Sequence, residues 1–185
     1  ASCSATNEAD WRKCGALANA ALDQVPADHP AFHVAEVSRA DVLLADGKEE
    51  AAIEVLKGLT KTHADLPEVH AALGDTLRRT ENFGDAAVAY TSAIELRPEP
   101  TARDWFIYYA RGIARERTKD WEGSEADFRQ ALQLNPESAE ALAGLARVYI
   151  QSGNMDGAAE IIASAPESMA DHAEIKAVKA SLTLT

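Results

Sequence analysis

The chain has 185 residues, 46% of them hydrophobic but only 6% aromatic, and 30 acidic side chains against 18 basic ones give a formal charge of −12. That length suits one domain with a continuous core, and abundant Ala and Leu without long alternating β-branched runs is a helical composition. So acidic a chain lacks the basic face that phosphate contacts require, which argues against general nucleic-acid binding, and no apolar stretch approaches the roughly 18 residues of a membrane span.

Residues 1–7 are small and polar and are expected to fray. From Glu8, the residues Trp11, Cys14, Ala18, Leu22 and Val25 fall at three- and four-residue spacing, which predicts an amphipathic helix ended by Pro26 and Pro30. On one straight helix Cys3 and Cys14 would stand roughly 16 Å apart, too far for a disulfide. A bridge needs residues 1–7 to loop back; the alternative is two free thiols with Cys14 packed inward. The order Ala1-Ser2-Cys3 resembles the end of a bacterial lipoprotein signal, which would make Cys3 a lipidated residue.

From His33 onward a pattern returns. Four units, His33–Leu66, Pro67–Pro100, Trp105–Ser138 and Ala139–His172, each read as two short amphipathic helices. A small residue stands mid-way in each first helix (Ala40, Gly74, Gly112, Ala146) and in each second helix (Ala52, Ala86, Ser124, Ala158). The step from Ala40 to Gly74 is 74 − 40 = 34 residues. Small side chains there let two backbones approach, which larger ones would prevent. Four residues after the second small position stand Leu56, Tyr90, Phe128 and Ile162, expected to fill the space between neighbouring units. Turns are expected at Gly47, Glu81–Gly84, Lys119–Asp120 and Gly153–Asn154, and Pro98 and Pro136 stop helices. Ala18, Leu22 and Pro30 are in phase with Ala86, Tyr90 and Pro98, so residues 8–32 read as a half unit. After the last unit Ile175, Val178 and Leu182 form one stripe, as in a capping helix over 173–185.

Three departures stand out. Thr101–Asp104 is an insertion expected to lengthen the next helix by about one turn. In that helix Arg111 and Arg115 take positions where large apolar residues are expected, so acids such as Glu125 or Asp127 must approach them, or both must reach the surface. In the first unit Glu36 and Arg39 replace bulky residues.

The small and bulky positions, with Leu145 and Tyr149 in ALAGLARVYIQSGNMDGAAEII, resemble the tetratricopeptide repeat over residues 33–172. The resemblance implies an all-α fold, a right-handed superhelix (α-solenoid) of antiparallel helix pairs. DWFIYYARGIARERTKDWEGSEADFRQALQLNP is similar to a segment of bacterial envelope proteins with these repeats. The stretch PESAEALAGLARVYIQSGNMDGAAEIIASAPESMADHAEIKAVKASL resembles the C-terminal end of bacterial thioredoxin–tetratricopeptide co-chaperones. Both imply a bacterial origin, with the periplasm or envelope favoured over the cytoplasm. No Cys-x-x-Cys accompanies the second.

Catalytic signatures are absent. Cys3, Cys14, His29 and His33 do not follow a zinc spacing; Asp120, Glu122, Glu125 and Asp127 lack the glycine and ligand rhythm of a calcium loop; no nucleophile elbow or phosphate loop appears. The expectation is a protein that is not an enzyme and that has no cofactor and no metal. In the family, first helices line a concave groove that carries ligand contacts. Transferred to this chain, those positions include Asp75, Arg78, Arg79, Phe106, Tyr109, Ile113, Glu116, Arg117, Ala143, Arg147 and Ile150. Of these, Asp75, Arg78, Arg79, Phe106, Tyr109, Ile113, Arg117, Arg147 and Ile150 form the candidate groove. Its apolar stripe and arginines suit a protein or peptide segment with acidic and apolar anchors. The bland readings are packing of the stripe on a neighbouring helix and pairing of the arginines on a solvated face, as Asp75–Arg79. The two-carboxylate clamp of heat-shock co-chaperones does not transfer, because its positions hold Val37, Asp41, Ala72 and Glu68. The function expected is a protein–protein interaction scaffold; a holdase-like co-chaperone and a self-assembling homo-oligomeric module are the alternatives.

Overall fold

The computed structural model describes Ala20 and residues 23–183. Cys3, Cys14 and most of the half unit before Pro26 lie outside the described residues. Val25 does not lie in a helix: residues 23–31 are turns and bends. The helices that follow are α1 (Phe32–Ala45), α2 (Glu49–Thr62), α3 (Pro67–Arg79), α4 (Phe83–Glu95), α5 (Trp105–Arg117), α6 (Trp121–Leu134), α7 (Ala139–Gln151), α8 (Met155–Ala163) and α9 (Ala173–Thr183). The described residues form no strand, so the chain is all-α. None of these helices is long and apolar enough to cross a membrane. The chain divides into two compact units, Ala1–Asn82 and Phe83–Thr185.

In the first unit α1 and α2 form a hairpin and α3 packs against both. Ala40 and Ala52 are buried at the crossing, and Leu56, Leu59, Val69, Leu73 and Leu77 complete the core. Pro67 opens α3 at a position whose N–H would lack a helical partner in any case. Glu36 and Arg39, where bulk was expected, are half-buried. Arg39 donates to Asp23, and its Nε stands 3.2 Å from Glu36.

In the second unit each helix packs on the next from α4 to α8, and α9 lies on α7 and α8. Ala86, Ser124 and Ala158 are fully buried, as are the bulky Tyr90 and Phe128, while Ile162 is nearly so. Ser124 answers its burial by donating its hydroxyl to the Gly112 carbonyl at 2.7 Å, since an unpaired buried hydroxyl is costly. The Phe128 ring fills the space that two glycines leave. A Cβ at Gly144 would come 2.6 Å from Phe128 Cε1, and one at Gly112 3.0 Å. Ile175 and Val178 of α9 join Leu142, Ala146, Ile162 and Met169 in a terminal core, with Leu182 partly buried against it.

The turns share one backbone solution. Gly47, Glu81, Lys119 and Gly153 all have positive φ, between 61° and 86°. The residue after each donates its N–H five residues back, Lys48 to Leu43, Asn82 to Leu77, Asp120 to Arg115 and Asn154 to Tyr149, at 2.8–2.9 Å. This Schellman closure satisfies the last carbonyls of the first helix. Asp120 and Asn154 then cap the second helix, accepting from the N–H of Gly123 and Gly157.

The insertion does not lengthen α5, which has 13 residues like α3 and α7. The extra turn is present but tighter: Ala102–Asp104 is a 3-10 turn that runs directly into Trp105. Asp104 Oδ2 accepts from the Thr101 N–H at 2.7 Å and from its hydroxyl at 2.8 Å, while Arg97 donates to Oδ1. These bonds close a capping box one turn before the α-helix starts.

Candidate functional site

Helix α5, WFIYYARGIARER, has two different edges. Tyr108, Arg111 and Arg115 lie at three- and four-residue spacing on one of them, and the two arginines reach α6. Arg111 donates Nε and Nη2 to the two oxygens of Asp127 at 2.9 and 2.6 Å, and Nη1 to Thr91 at 3.0 Å. Arg115 Nη1 adds a third bond to Asp127 at 2.9 Å. The Asp127 side chain is 3% exposed. Burial pushes its carboxyl up from the ordinary aspartate value, against the pull of Arg111 and then Arg115. Of the two acids expected near these arginines, Asp127 is the partner. Glu125 turns instead to Arg129 and to the Tyr149 hydroxyl.

Tyr109, Ile113 and Glu116 form the other edge, toward α7. Tyr109 stacks obliquely on Phe128 at 5.9 Å, and Ile113 and Ile150 pack on the same cluster of Phe128, Leu145, Val148 and Tyr149. These three candidate residues are thus half inside the core and half at its rim. Phe106 is 41% exposed and continues the aromatic run, 5.9 Å from Trp105 and 6.2 Å from Tyr109. Ala143 is fully buried in the terminal core and offers no surface.

One residue of α5 and two of α7 make the polar centre of this edge. Glu116, 6% exposed, accepts from Arg147 Nε at 2.9 Å, Arg147 Nη2 at 2.7 Å and Gln151 Nε2 at 3.0 Å. The hydrogen bonds that Arg147 donates to Glu116 raise its pKa; burial opposes them, and the Glu116 charge and Tyr109 add to the rise. Arg147 keeps 38% of its side chain exposed while its planar fork is fixed. Arg117 leaves this group, its guanidinium lying 4.5 Å over the Phe83 ring.

In the first unit Arg78 stands 3.6 Å from Asp75 in a half-buried pair, and Arg79 3.5 Å from Asp41 of α1 on the surface. Arg79 therefore reaches across to a neighbouring helix, whereas an intrahelical pair with Asp75 was expected.

Glu116 is the member that sequence reasoning placed on the inner face without a role. The offsets hold a signal: 147 − 116 = 31 and 151 − 116 = 35 bracket the 34-residue period. On successive first helices, residues one period apart less three or plus one are neighbours. A Glu and an Arg at such an offset mark a rung.

Residues 117–182 match the tetratricopeptide repeat family. Among solved structures, a tetratricopeptide repeat protein from Parabacteroides merdae superposes with a TM-score of 0.78 at 19% identity, over 96% of this chain and 67% of that one. MamA gives 0.68 at 16% identity, over 96% of this chain and 94% of its own. The Cut9–Hcn1 hetero-tetramer of the APC/C gives 0.72 at 15% identity, where 95% of this chain spans 33% of that chain. No curated protein sequence matches the chain. At these identities the likeness shows the fold alone, that of tetratricopeptide-repeat solenoids.

Proposed function

We propose that the chain is a non-enzymatic scaffold that receives a protein or peptide segment on the exposed edge of α5 and α7. The observation that carries this reading is the conjunction at that edge: Phe106 at 41% exposure beside Trp105 and Tyr109, and an arginine held rigid by a buried glutamate. An apolar side chain of the segment lies on Phe106, where one desolvated anchor contributes about 2 kcal/mol. A carboxylate of the segment meets the exposed part of Arg147, whose orientation Glu116 has already fixed, so little side-chain entropy is lost on binding. Ile113 and Ile150 border Phe106 and Arg147 on the same edge, while Asp75, Arg78 and Arg79 form a separate charged group on α3.

Peptides selected against the chain by display test this. Phe106→Ala should weaken the selected peptides roughly thirtyfold, the equivalent of about 2 kcal/mol. Arg147→Glu should abolish binding of those that carry acids. Val88→Ala, at a residue 66% exposed on α4, should change nothing. Selected peptides that bind both α5 and α7 variants as well as the parent would refute the assignment.

A further inference from the structure

Two imidazoles that are 63 − 33 = 30 residues apart in the chain meet at the base of the first hairpin. His33 lies in the first turn of α1 and His63 caps α2; their ring centroids are 5.8 Å apart with planes inclined at 44°. Phe32 stacks on His63 at 6.3 Å and 27°, which fixes the plane of that ring.

The neighbouring threonine engages one nitrogen of His63. Thr62 Oγ1 stands 3.2 Å from the Leu59 carbonyl and 2.9 Å from His63 Nδ1. In the tautomer in which the hydroxyl donates to Leu59, Nδ1 carries the proton and Nε2 a free lone pair. An imidazole whose Nδ1–H is tied to an oxygen and whose Nε2 is bare is the form that binds metals. Two imidazoles on one ion, each with a metal–nitrogen distance of about 2.0–2.1 Å, put their centroids about 5 Å apart at a tetrahedral angle. A small rotation of either side chain closes the difference from 5.8 Å.

Two other histidines are committed elsewhere. His29 Nδ1 accepts from the Ala31 N–H at 3.1 Å, and His70 Nε2 lies 2.9 Å from the Ala64 carbonyl. Among the described residues no third His, Cys, Asp or Glu completes a cluster, so water would fill the remaining positions. The donor set suits ions that prefer imidazole and tolerate open coordination, with copper(II) bound more tightly than nickel(II) or zinc(II). We propose that His33 and His63 form a two-imidazole site for a divalent transition-metal ion, tying the first turn of α1 to the end of α2. Sequence spacing hid this pair because the fold, not a motif, brings the rings together.

The full chain carrying Cys3→Ser and Cys14→Ser, so that thiols do not compete, is titrated with copper(II) and nickel(II) by calorimetry. Copper is also followed by electron paramagnetic resonance. One ion per chain is expected, with nitrogen coupling from two imidazoles. His33→Gln and His63→Gln should each weaken binding at least about tenfold, the lower end of what even a hydrogen-bonding neighbour of a ligand is worth. His70→Gln and His172→Gln should not. Circular dichroism confirms that each variant folds, and His→Asn at the same positions replaces any that does not. Absence of saturable binding, binding indifferent to His33 and His63, or equal loss in His70→Gln would overturn the proposal.

Discussion

The hairpins α1–α2 and α5–α6 follow one backbone plan with different chemistry. In the first, Ala40 and Ala52 are buried, Leu56 fills the space beyond, and the ion pairs are half-buried, as Arg39–Glu36, or exposed, as Lys48–Asp46. In the second, Gly112 and Ser124 meet, Phe128 replaces the leucine, and a carboxylate with two arginines sits in the interior. An apolar hairpin loses stability in proportion to what is removed. A hairpin with buried charge loses far more when one member goes, because the others are left buried without a counter-charge.

Asp127→Asn should test that asymmetry most severely. It leaves Arg111 and Arg115 facing a neutral amide, and urea unfolding should show a loss of about 3–5 kcal/mol. A loss as small as that of a rim pair would erase the distinction between the hairpins. Gly144→Ala comes next, at about 1–3 kcal/mol, because Phe128 has no room to retreat. Gly112→Ala, with a looser 3.0 Å approach, should cost less.

The acid limit probes the second unit again. Burial pushes the Asp104 carboxyl up, but the Thr101 N–H, the Thr101 hydroxyl and Arg97 outweigh it, and its pKa is lowered. A carboxyl lowered by folding stabilises above its unfolded value and loses that contribution as pH falls through its folded one. Asp104→Asn should therefore cost about 1 kcal/mol at neutral pH, and the gap from the parent should close in melts taken well below pH 4. A gap that persists there would mean that charge is not what holds the inserted turn.

The smallest effects belong to features the two units share. Glu81 and Lys119 occupy the left-handed conformation that Gly47 and Gly153 adopt without a Cβ. Glu81→Gly or Lys119→Gly should raise stability by about 0.5–1 kcal/mol in either unit. Arg79→Ala, breaking an exposed pair with Asp41, should stay within about 0.5 kcal/mol.

What the sequence disclosed follows from where each interaction lies. Small and bulky residues recur because close backbone approach recurs, so Ala52, Ala86, Ser124 and Ala158 could be picked from spacing alone, and all are fully buried. The turns were legible at Glu81 and Lys119 even without glycine, since the period placed them. The inserted turn was foreseen in length but not in kind: Thr101-x-x-Asp104 is a capping signature, and it starts a 3-10 turn that runs straight into α5. Arg111 announced that it needed an acid, but two acids fitted, and only the facing of α6 decides between Asp127 and Glu125. The candidate binding edge was the least legible part. Whether Arg147 points to solvent or to Glu116 depends on a residue 31 positions away, and whether Arg117 joins it depends on Phe83.

The Phe128 ring, set between two glycines, has a consequence for how the second unit comes apart. By its covalent place it belongs to α6, yet it contacts α5 through Gly112 and α7 through Gly144. In a linear array the free energy divides into intrinsic terms and nearest-neighbour couplings, and this ring contributes to two couplings at once. Neither α5 nor α7 can melt alone without opening a cavity against it. Amide hydrogens of the three helices should therefore exchange through one shared opening event. In Phe128→Leu, where the side chain shrinks to the size of Leu56, that event should separate into two.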